Sequence, residues 1–332
     1  MKPRLEISFS LKNQYTYWFG NEYVPKNGEY LLNHARSGLV LALDVANLKG
    51  KRVGVMAYNC HTVFQAVKQA GCEIVFLDVT DELRLNISSL KNQHLSGIVI
   101  SNLFGIRNDV ETIRKECPGI VIIVDNAHGF GLPIEGDFAV YSVGLGKFPS
   151  IGDGGILYTN LPIINQRHYS FLEKVVLFVK LQVHALAYSR LLYWITRRIK
   201  LYSYNHANPN LLKFVPIVQM ASGISRIYRQ RDQSKEALLA SRRSNAAEWM
   251  KALSAQDNIV RIWSGDNAFM LIIECRDVEI QKEKFEQMGV ETETHFARCL
   301  EWAHEFGYEQ GQCPQTELLV KKLLMIPTYY AL

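Results

Sequence analysis

The sequence lacks the signatures of several protein classes. Its six cysteines include no C-x-x-C pair, and no group of His, Cys, Asp and Glu has the spacing of a metal site. No phosphate-binding Walker motif and no dinucleotide-binding glycine motif follows a strand-like run. We therefore expect reduced thiols and a chemistry that uses neither a metal ion nor a nicotinamide cofactor.

Blocks of like charge and long uncharged apolar runs are also missing. The 37 Lys and Arg against 32 Asp and Glu give a net charge of +5 without basic blocks, so we predict no nucleic-acid binding. The N-terminus lacks the pattern of a secretory signal, which predicts a cytoplasmic protein. Residues 167–200 are apolar and basic, but their charges leave no run near the roughly 20 residues that span a bilayer. The pattern favours packing on the core or on a dimer partner over association with a membrane surface.

The 332 residues, 48% of them hydrophobic, are enough for one large and one small domain. Residues 51–160 alternate β-rich runs such as GIVIS and GIVIIVD with helix-like runs, which predicts an α/β domain with a mostly parallel sheet. From about Ser225 a long charged helix, a strand FMLIIEC, a helix and a strand VETETHF predict a smaller α+β domain. We place the domains at residues 1–224 and 225–332.

Three segments carry residues suited to chemistry. In VDNAHGFG, Asp125 and His128 follow a buried strand, at the edge where parallel sheets bind ligands. In YSVGLGKFPSIGDGG, Ser142 precedes Lys147 by five residues in a glycine-rich stretch where backbone approaches a ligand closely. In HARSGLVLALDVAN, Arg36-Ser37-Gly38 precede a helical pattern and can present N–H groups to a phosphate.

Each segment also has a purely structural interpretation. An Asp at a strand end is often a turn or cap residue, and a Ser before a helix is an ordinary N-cap. A single lysine is often a solvated surface charge, and a single histidine is often part of the core. The functional interpretation therefore depends on the three segments occurring together.

Together, their order and spacing resemble the DegT/StrS-type sugar aminotransferases, a family of pyridoxal-phosphate (PLP) enzymes with the aspartate aminotransferase fold. The resemblance covers about residues 35–160 and resumes near Gly289, and relatives usually continue beyond the position of Leu332. Its most specific parts are D-x-A-H, from Asp125 to His128, and S-x-x-x-x-K followed by G-D-G-G. The resemblance implies a three-layer αβα large domain, a smaller C-terminal α+β domain and a homodimer with active sites at the subunit interface.

The resemblance also implies roles for individual residues. Lys147 would form the Schiff base with PLP and then move the proton between the substrate carbon and the cofactor carbon. Asp125 would pair with the pyridinium nitrogen and keep it protonated. Ser142 and the Ser37-Gly38 turn would hold the phosphate, and His128 would lie beside the ring or its phenolic oxygen.

The sequence departs from the family pattern at several positions. Arg36-Ser37-Gly38 stand where relatives have Gly-Thr and a small residue, so Arg36 can supply charge to the phosphate instead. Cys60 stands where many relatives stack an aromatic ring on PLP, although Tyr58 is close in sequence. Ile217-Val218-Gln219 replace the Asn-x-Arg segment through which the neighbouring subunit reaches the phosphate. Tyr58 and His295 are additional candidates for the substrate pocket.

We therefore predict a PLP-dependent aminotransferase that moves an amino group from glutamate to a nucleotide-linked keto-sugar for surface polysaccharide synthesis. Two alternatives remain open. The first is a PLP-dependent sugar dehydratase, although relatives with that activity carry histidine at the position of Lys147. The second is a degenerate member that no longer catalyses and serves as a binding or scaffolding protein.

Overall fold

A seven-stranded sheet forms the centre of this computed structural model, which describes residues 11–164, 166–187, 214–294 and 296–330. Its strands are β1 (Glu29–Leu32), β2 (Arg52–Met56), β3 (Glu73–Leu77), β4 (Gly97–Ser101), β5 (Val121–Asn126), β6 (Phe138–Ser142) and β7 (Gly155–Tyr158). They lie in the order β1-β7-β6-β5-β4-β2-β3. Adjacent strands from β6 to β3 are parallel, and β7 is antiparallel to both of its neighbours. The predicted α/β fold with a mostly parallel sheet is confirmed.

Helices connect and cover these strands. They are α1 (Leu11–Phe19), α2 (Ala35–Val45), α3 (His61–Gln69), α4 (Val110–Glu116), α5 (Phe171–Ala187) and α6 (Ser222–Gln233), with short 3-10 helices at Ile87–Leu90 and Leu103–Gly105. Every residue of β4 is buried, as an apolar run without alternation predicts for a central strand covered on both faces. The parallel arrangement brings the C-terminal ends of β2, β4 and β5 to one edge of the sheet, where the candidate site lies.

A second, antiparallel sheet belongs to the C-terminal part of the chain. Its elements are α7 (Lys235–Leu253), β8 (Ile259–Ser264), β9 (Met270–Cys275), α8 (Val278–Gln287), α9 (Cys299–His304), α10 (Pro314–Leu319) and β10 (Leu323–Pro327). The strands lie in the order β10-β9-β8, and side chains including Trp249, Leu271 and Phe285 form their own hydrophobic cluster. The predicted domain boundary between residues 224 and 225 falls inside α6, and the division into two domains stays a prediction.

Two predicted elements differ from the structure. The single charged helix expected from about Ser225 is broken at Ser234, whose N–H donates to Arg231 O and whose backbone has φ −99° and ψ 9°. Glycine and proline are absent there, so the sequence carries no signal for this break. In VETETHF the described residues form no strand, and Glu293 makes an isolated antiparallel bridge with Met325. The extended run ends because Ala297 N donates to Thr294 O in a turn.

The apolar and basic segment at 167–200 is described only as far as residue 187, where α5 ends. Within the described residues, no helix is long and apolar enough to cross a membrane. The candidate substrate residue His295 lies outside the described residues.

Candidate active site

A cavity of about 180 Å³ lies at the C-terminal ends of the central strands. Six of the predicted site residues line it, and they come from separate elements of the large sheet and from the loops that follow them: Arg36, Cys60, Asp125, His128, Ser142 and Lys147. The fold therefore brings together residues that are more than a hundred positions apart in the sequence.

Lys147 and His128 meet at one wall of this cavity. Lys147 lies in the loop after β6, and its Nζ is 3.0 Å from His128 Nε2. His128 Nδ1 accepts a hydrogen bond from Phe104 N at 3.2 Å, which fixes the orientation of the ring from its other side. Phe104, Phe269 and Phe296 surround the imidazole, with ring centroids 4.7–6.0 Å away. This packing fixes the imidazole, and the imidazole in turn positions the amine.

Asp125 lies at the end of β5 and is 5% exposed. Its Oδ1 accepts a hydrogen bond from Ala127 N, and its Oδ2 accepts one from Ser101 Oγ, both at 3.0 Å. Burial raises the pKa of Asp125, whereas the Ala127 N–H, the charge of Lys147 and the Ser101 hydroxyl act to lower it. Such a carboxyl can pair with a positively charged ring nitrogen inside the cavity.

The start of α2 forms another wall of the cavity. Arg36 Nη1 donates a hydrogen bond to Gln65 Oε1, and the cavity is also lined by His34, whose Nδ1 is 3.0 Å from Asp153 Oδ1. A Cβ at Gly155 would lie 2.2–2.4 Å from the backbone of His34 and Ala35, so only glycine lets β7 pass so close to the helix start. The glycine-rich G-D-G-G segment thus places a helix N-terminus and a cation beside the cavity, which suits an anion such as a phosphate.

Cys60 precedes α3 and faces the same cavity. Its Sγ accepts a hydrogen bond from Thr62 Oγ1 at 3.1 Å and is 3.9 Å from His61 Nδ1. Burial by itself raises the pKa of this thiol, but the hydrogen bond and charge of His61, the charge of Lys147 and the Thr62 hydroxyl together lower it to about 6. A cysteine with a lowered pKa therefore occupies the position at which an aromatic ring is expected from the family resemblance.

Three predicted residues are not brought to the cavity wall. The Ser37 hydroxyl is fully buried and donates to Asn33 Oδ1, because this position of α2 faces the sheet. Gly38 packs against the sheet, where an added Cβ would lie 3.1 Å from Val140. Tyr58 is 1% exposed, and its ring packs edge-on against Phe296 instead of facing the cavity. The roles of Ser37 at the phosphate and of Tyr58 at the substrate stay predictions, and neither side chain is among those that line the cavity.

Eleven of the lining residues are absent from the sequence-based prediction, among them His34, Asn59, Ser101 and Phe296. Ser101 has a recognisable signal, because it is a polar residue that ends the apolar run GIVIS. Asn59 similarly follows the strand-like run RVGVMA. Phe296 comes from the C-terminal part of the chain, and no local pattern connects it to the site.

The residues present fit PLP. An amine at Lys147, a buried carboxylate at Asp125 and a cationic helix start at Arg36 line one cavity, and these are the three kinds of group that PLP requires for its aldehyde, ring nitrogen and phosphate. The fit rests on this donor set within one cavity.

Comparisons with known proteins agree with this geometry. Residues 22–332 match the model of the DegT/DnrJ/EryC1/StrS aminotransferase family. None of the curated proteins compared with the chain matches it significantly in sequence.

Solved structures with similar folds have low sequence identity to the chain. Spr1654 of Streptococcus pneumoniae, described as a sugar aminotransferase and solved in its PLP form, has a TM-score of 0.73 at 13% identity, covering 99% of this chain and 93% of its own. The sugar aminotransferase CalS13 of Micromonospora echinospora has a TM-score of 0.71 at 17% identity, covering 99% and 95%. A GDP-4-keto-6-deoxymannose-3-dehydratase has a TM-score of 0.73 at 15% identity, covering 100% and 97%. The family match and the shared fold place this chain in the DegT/DnrJ/EryC1/StrS family of PLP-dependent aminotransferases.

Proposed function

We propose that this enzyme transfers an amino group from glutamate to a keto-sugar carried on a nucleotide, in surface polysaccharide synthesis. The observation that carries the proposal is the Lys147 amine in the same cavity as the buried Asp125 carboxylate. A structure with the same fold is named for a GDP-linked keto-sugar and holds a PLP–glutamate adduct, which supports both substrate classes for this chain.

Each residue has a defined task in this reaction. When bound, PLP supplies the electron sink that accepts the electrons of the substrate carbon–hydrogen bond. The Lys147 amine anchors the cofactor and moves the proton, and His128 Nε2 holds that amine in place. Asp125 keeps a proton on the ring nitrogen, and Arg36 with the start of α2 binds the phosphate.

Sugar dehydration remains the second candidate, because one structure with this fold is a dehydratase. The resemblance predicts histidine at the position of Lys147 for that reaction, and this chain has lysine. The proposed site also favours transamination because the lysine amine lies inside the cavity, where a proton-moving base is needed. Release of a dehydrated sugar without transfer of an amino group would reverse this order.

The absorption spectrum of the protein with added PLP, before and after borohydride reduction, tests the proposal. We expect a visible band that borohydride traps on Lys147, identified by peptide mass mapping, and loss of transamination in Lys147→Ala. Lys91→Ala, which changes an exposed lysine that does not line the cavity, is the matched control and should behave as the wild type. Failure to retain PLP would instead support the scaffolding alternative.

Three further features of the proposal come from the resemblance to the family. We propose a cytoplasmic location, a homodimer and small-molecule substrates. The Asn-x-Arg segment is replaced by Ile217-Val218-Gln219, and Gln219 makes a bridge to Leu32 at the edge of the sheet. A neighbouring subunit would therefore not reach the phosphate through an arginine at this position, and Arg36 of the same chain would provide that charge.

A further inference from the structure

Three buried polar side chains form a hydrogen-bonded row at the ends of β2, β4 and β5. Asn59 Nδ2 donates to Ser101 Oγ at 2.8 Å, and Ser101 Oγ donates to Asp125 Oδ2 at 3.0 Å. Asn59 is 1% exposed and Ser101 is 2% exposed, so water does not compete for these bonds. Ser101 and Asp125 are direct partners in the parallel pairing of β4 with β5, which sets the separation of their side chains.

The direction of every bond in this row is determined. Cys60 N donates to Asn59 Oδ1 at 2.8 Å, so the amide must present its NH₂ group to Ser101. Ser101 receives that hydrogen and has one proton of its own, which it can give to Asp125 Oδ2. The other carboxyl oxygen, Oδ1, already accepts the Ala127 N–H. Both oxygens of Asp125 are thus acceptors, and hydrogen bonds to both oxygens favour the ionised carboxylate over the neutral acid.

We propose that Asn59 and Ser101 are positioning residues that keep the Asp125 carboxylate ionised and oriented toward the ring nitrogen of bound PLP. The inference rests on the proposed function, because it concerns the cofactor site of that reaction. It adds two residues that act on the ring nitrogen through Asp125.

Burial explains why Asp125 needs this support. Removing a carboxyl from water favours its neutral form, and burial raises the pKa of Asp125. The Ser101 hydroxyl is one of the groups that oppose this rise, so its loss would raise the pKa further. A neutral Asp125 could not hold a proton on the ring nitrogen, and the cofactor would be a weaker electron sink.

The alternative is that the row only ties three strand ends together. The two explanations predict different responses to an analogue of PLP that carries a C–H group in place of the ring nitrogen. If the row acts through the pairing of the Asp125 carboxylate with the ring nitrogen, breaking the row weakens the binding of PLP and not that of the analogue, which has no ring nitrogen. A structural defect would weaken the binding of both molecules equally.

The experiment measures the Kd of PLP and of this analogue for the wild type and Ser101→Ala by equilibrium dialysis. We expect Ser101→Ala to weaken PLP binding about tenfold, as for the loss of one hydrogen bond to a charged group, and to leave the analogue nearly unchanged. Ser101→Thr keeps the hydroxyl and should restore PLP binding. Ser225→Ala removes another buried hydroxyl, one that bonds to Ser222 O, and should change neither Kd.

The outcomes separate this inference from the proposed function. Equal weakening of both molecules, or no change in either, would overturn the positioning role while leaving PLP binding by the wild type intact. A wild type that binds neither molecule would overturn both. If Ser101→Ala does not fold, Asn59→Ala takes its place in the experiment. We expect the same change in the ratio of the two Kd values, because Ser101 then loses the donor that directs its proton to Asp125. An unchanged ratio in Asn59→Ala would also contradict the inference.

Discussion

Cys60 shows how neighbouring groups set the state of a single side chain. Sγ lies beside His61 and the Thr62 hydroxyl at the start of α3, in the same cavity as Lys147. Although burial alone would raise the pKa of the thiol, these neighbours lower it to about 6. The thiolate is the reactive form of cysteine, so Cys60 should react at a pH where ordinary thiols do not.

We predict that iodoacetamide alkylates Cys60 at a rate that rises through pH 6 and levels off near neutral pH. Above its pKa the thiol is mostly ionised, so a lowered pKa moves the whole profile to lower pH. Cys117 is the internal control: it is also partly exposed, but burial raises its pKa, so its rate should rise only at alkaline pH. Peptide mass spectrometry measures both rates in one sample. Identical pH profiles for the two cysteines would contradict the prediction.

The residues of the site differ in how far the sequence predicts them. Asp125 and Lys147 could be identified because each stands in a local pattern, one at the end of an apolar strand and one among glycines. The row from Asn59 through Ser101 to Asp125 could not, since it depends on β4 lying between β2 and β5. Ser37 shows a different limit of sequence-based prediction. A shift of one residue along α2 decides whether a side chain faces the cavity or the sheet, and the sequence does not determine this orientation.

At the scale of elements, the short helix α10 begins on a carboxylate from the other part of the chain. Asp78, just after β3, is 7% exposed and accepts hydrogen bonds from Gln315 N at 2.9 Å and from both Thr316 N and Thr316 Oγ1 at 2.8 Å. These bonds satisfy helix N–H groups that have no partner within the helix. A single side chain therefore joins the large sheet to the C-terminal elements.

We predict that Asp78→Ala lowers the free energy of unfolding by about 2–3 kcal/mol, because it leaves several buried donors without an acceptor. Asp109→Ala is the matched control. Asp109 caps α4 through Thr112 N at 3.0 Å but is exposed, so its removal should cost about 1 kcal/mol. Urea unfolding of the two variants and the wild type gives both values. A loss in Asp78→Ala no larger than in Asp109→Ala would show that burial adds nothing to this cap.

Elements are predicted well where local patterns are strong. The apolar run of β5 and the alternation of strands and helices from β2 to β5 follow from the sequence. The break at Ser234 and the missing strand in VETETHF do not. Ser234 N donates to Arg231 O at the break, and Glu293 pairs with Met325 of β10 in an isolated bridge. Propensity over a few residues does not carry information about such contacts.

At the scale of the whole molecule, the outer face of α5 bears on the proposed homodimer. Leu172, Val176, Val179 and Val183 are spaced by four, three and four residues and are 52–72% exposed. These four residues form an apolar stripe, Phe171 and Leu186 are also exposed on the helix, and such a face suits contact with a second copy of the chain. Glu173 and Lys180 lie on the same flank of the stripe, so two antiparallel copies of α5 would bring opposite charges together.

We predict a homodimer, with a mass twice the 37.9 kDa of one chain, in which α5 contributes to the contact. Val179→Asp places a charge in the stripe and should lower the mass measured by light scattering after chromatography. Val260→Asp is the matched control, because Val260 is a similarly exposed valine on β8, and its mass should equal that of the wild type. Circular dichroism of both variants checks that they fold. An unchanged mass in Val179→Asp would exclude α5 from the dimer contact. In that case, sedimentation of the wild type with anionic vesicles would indicate that the apolar face of α5 binds a membrane surface.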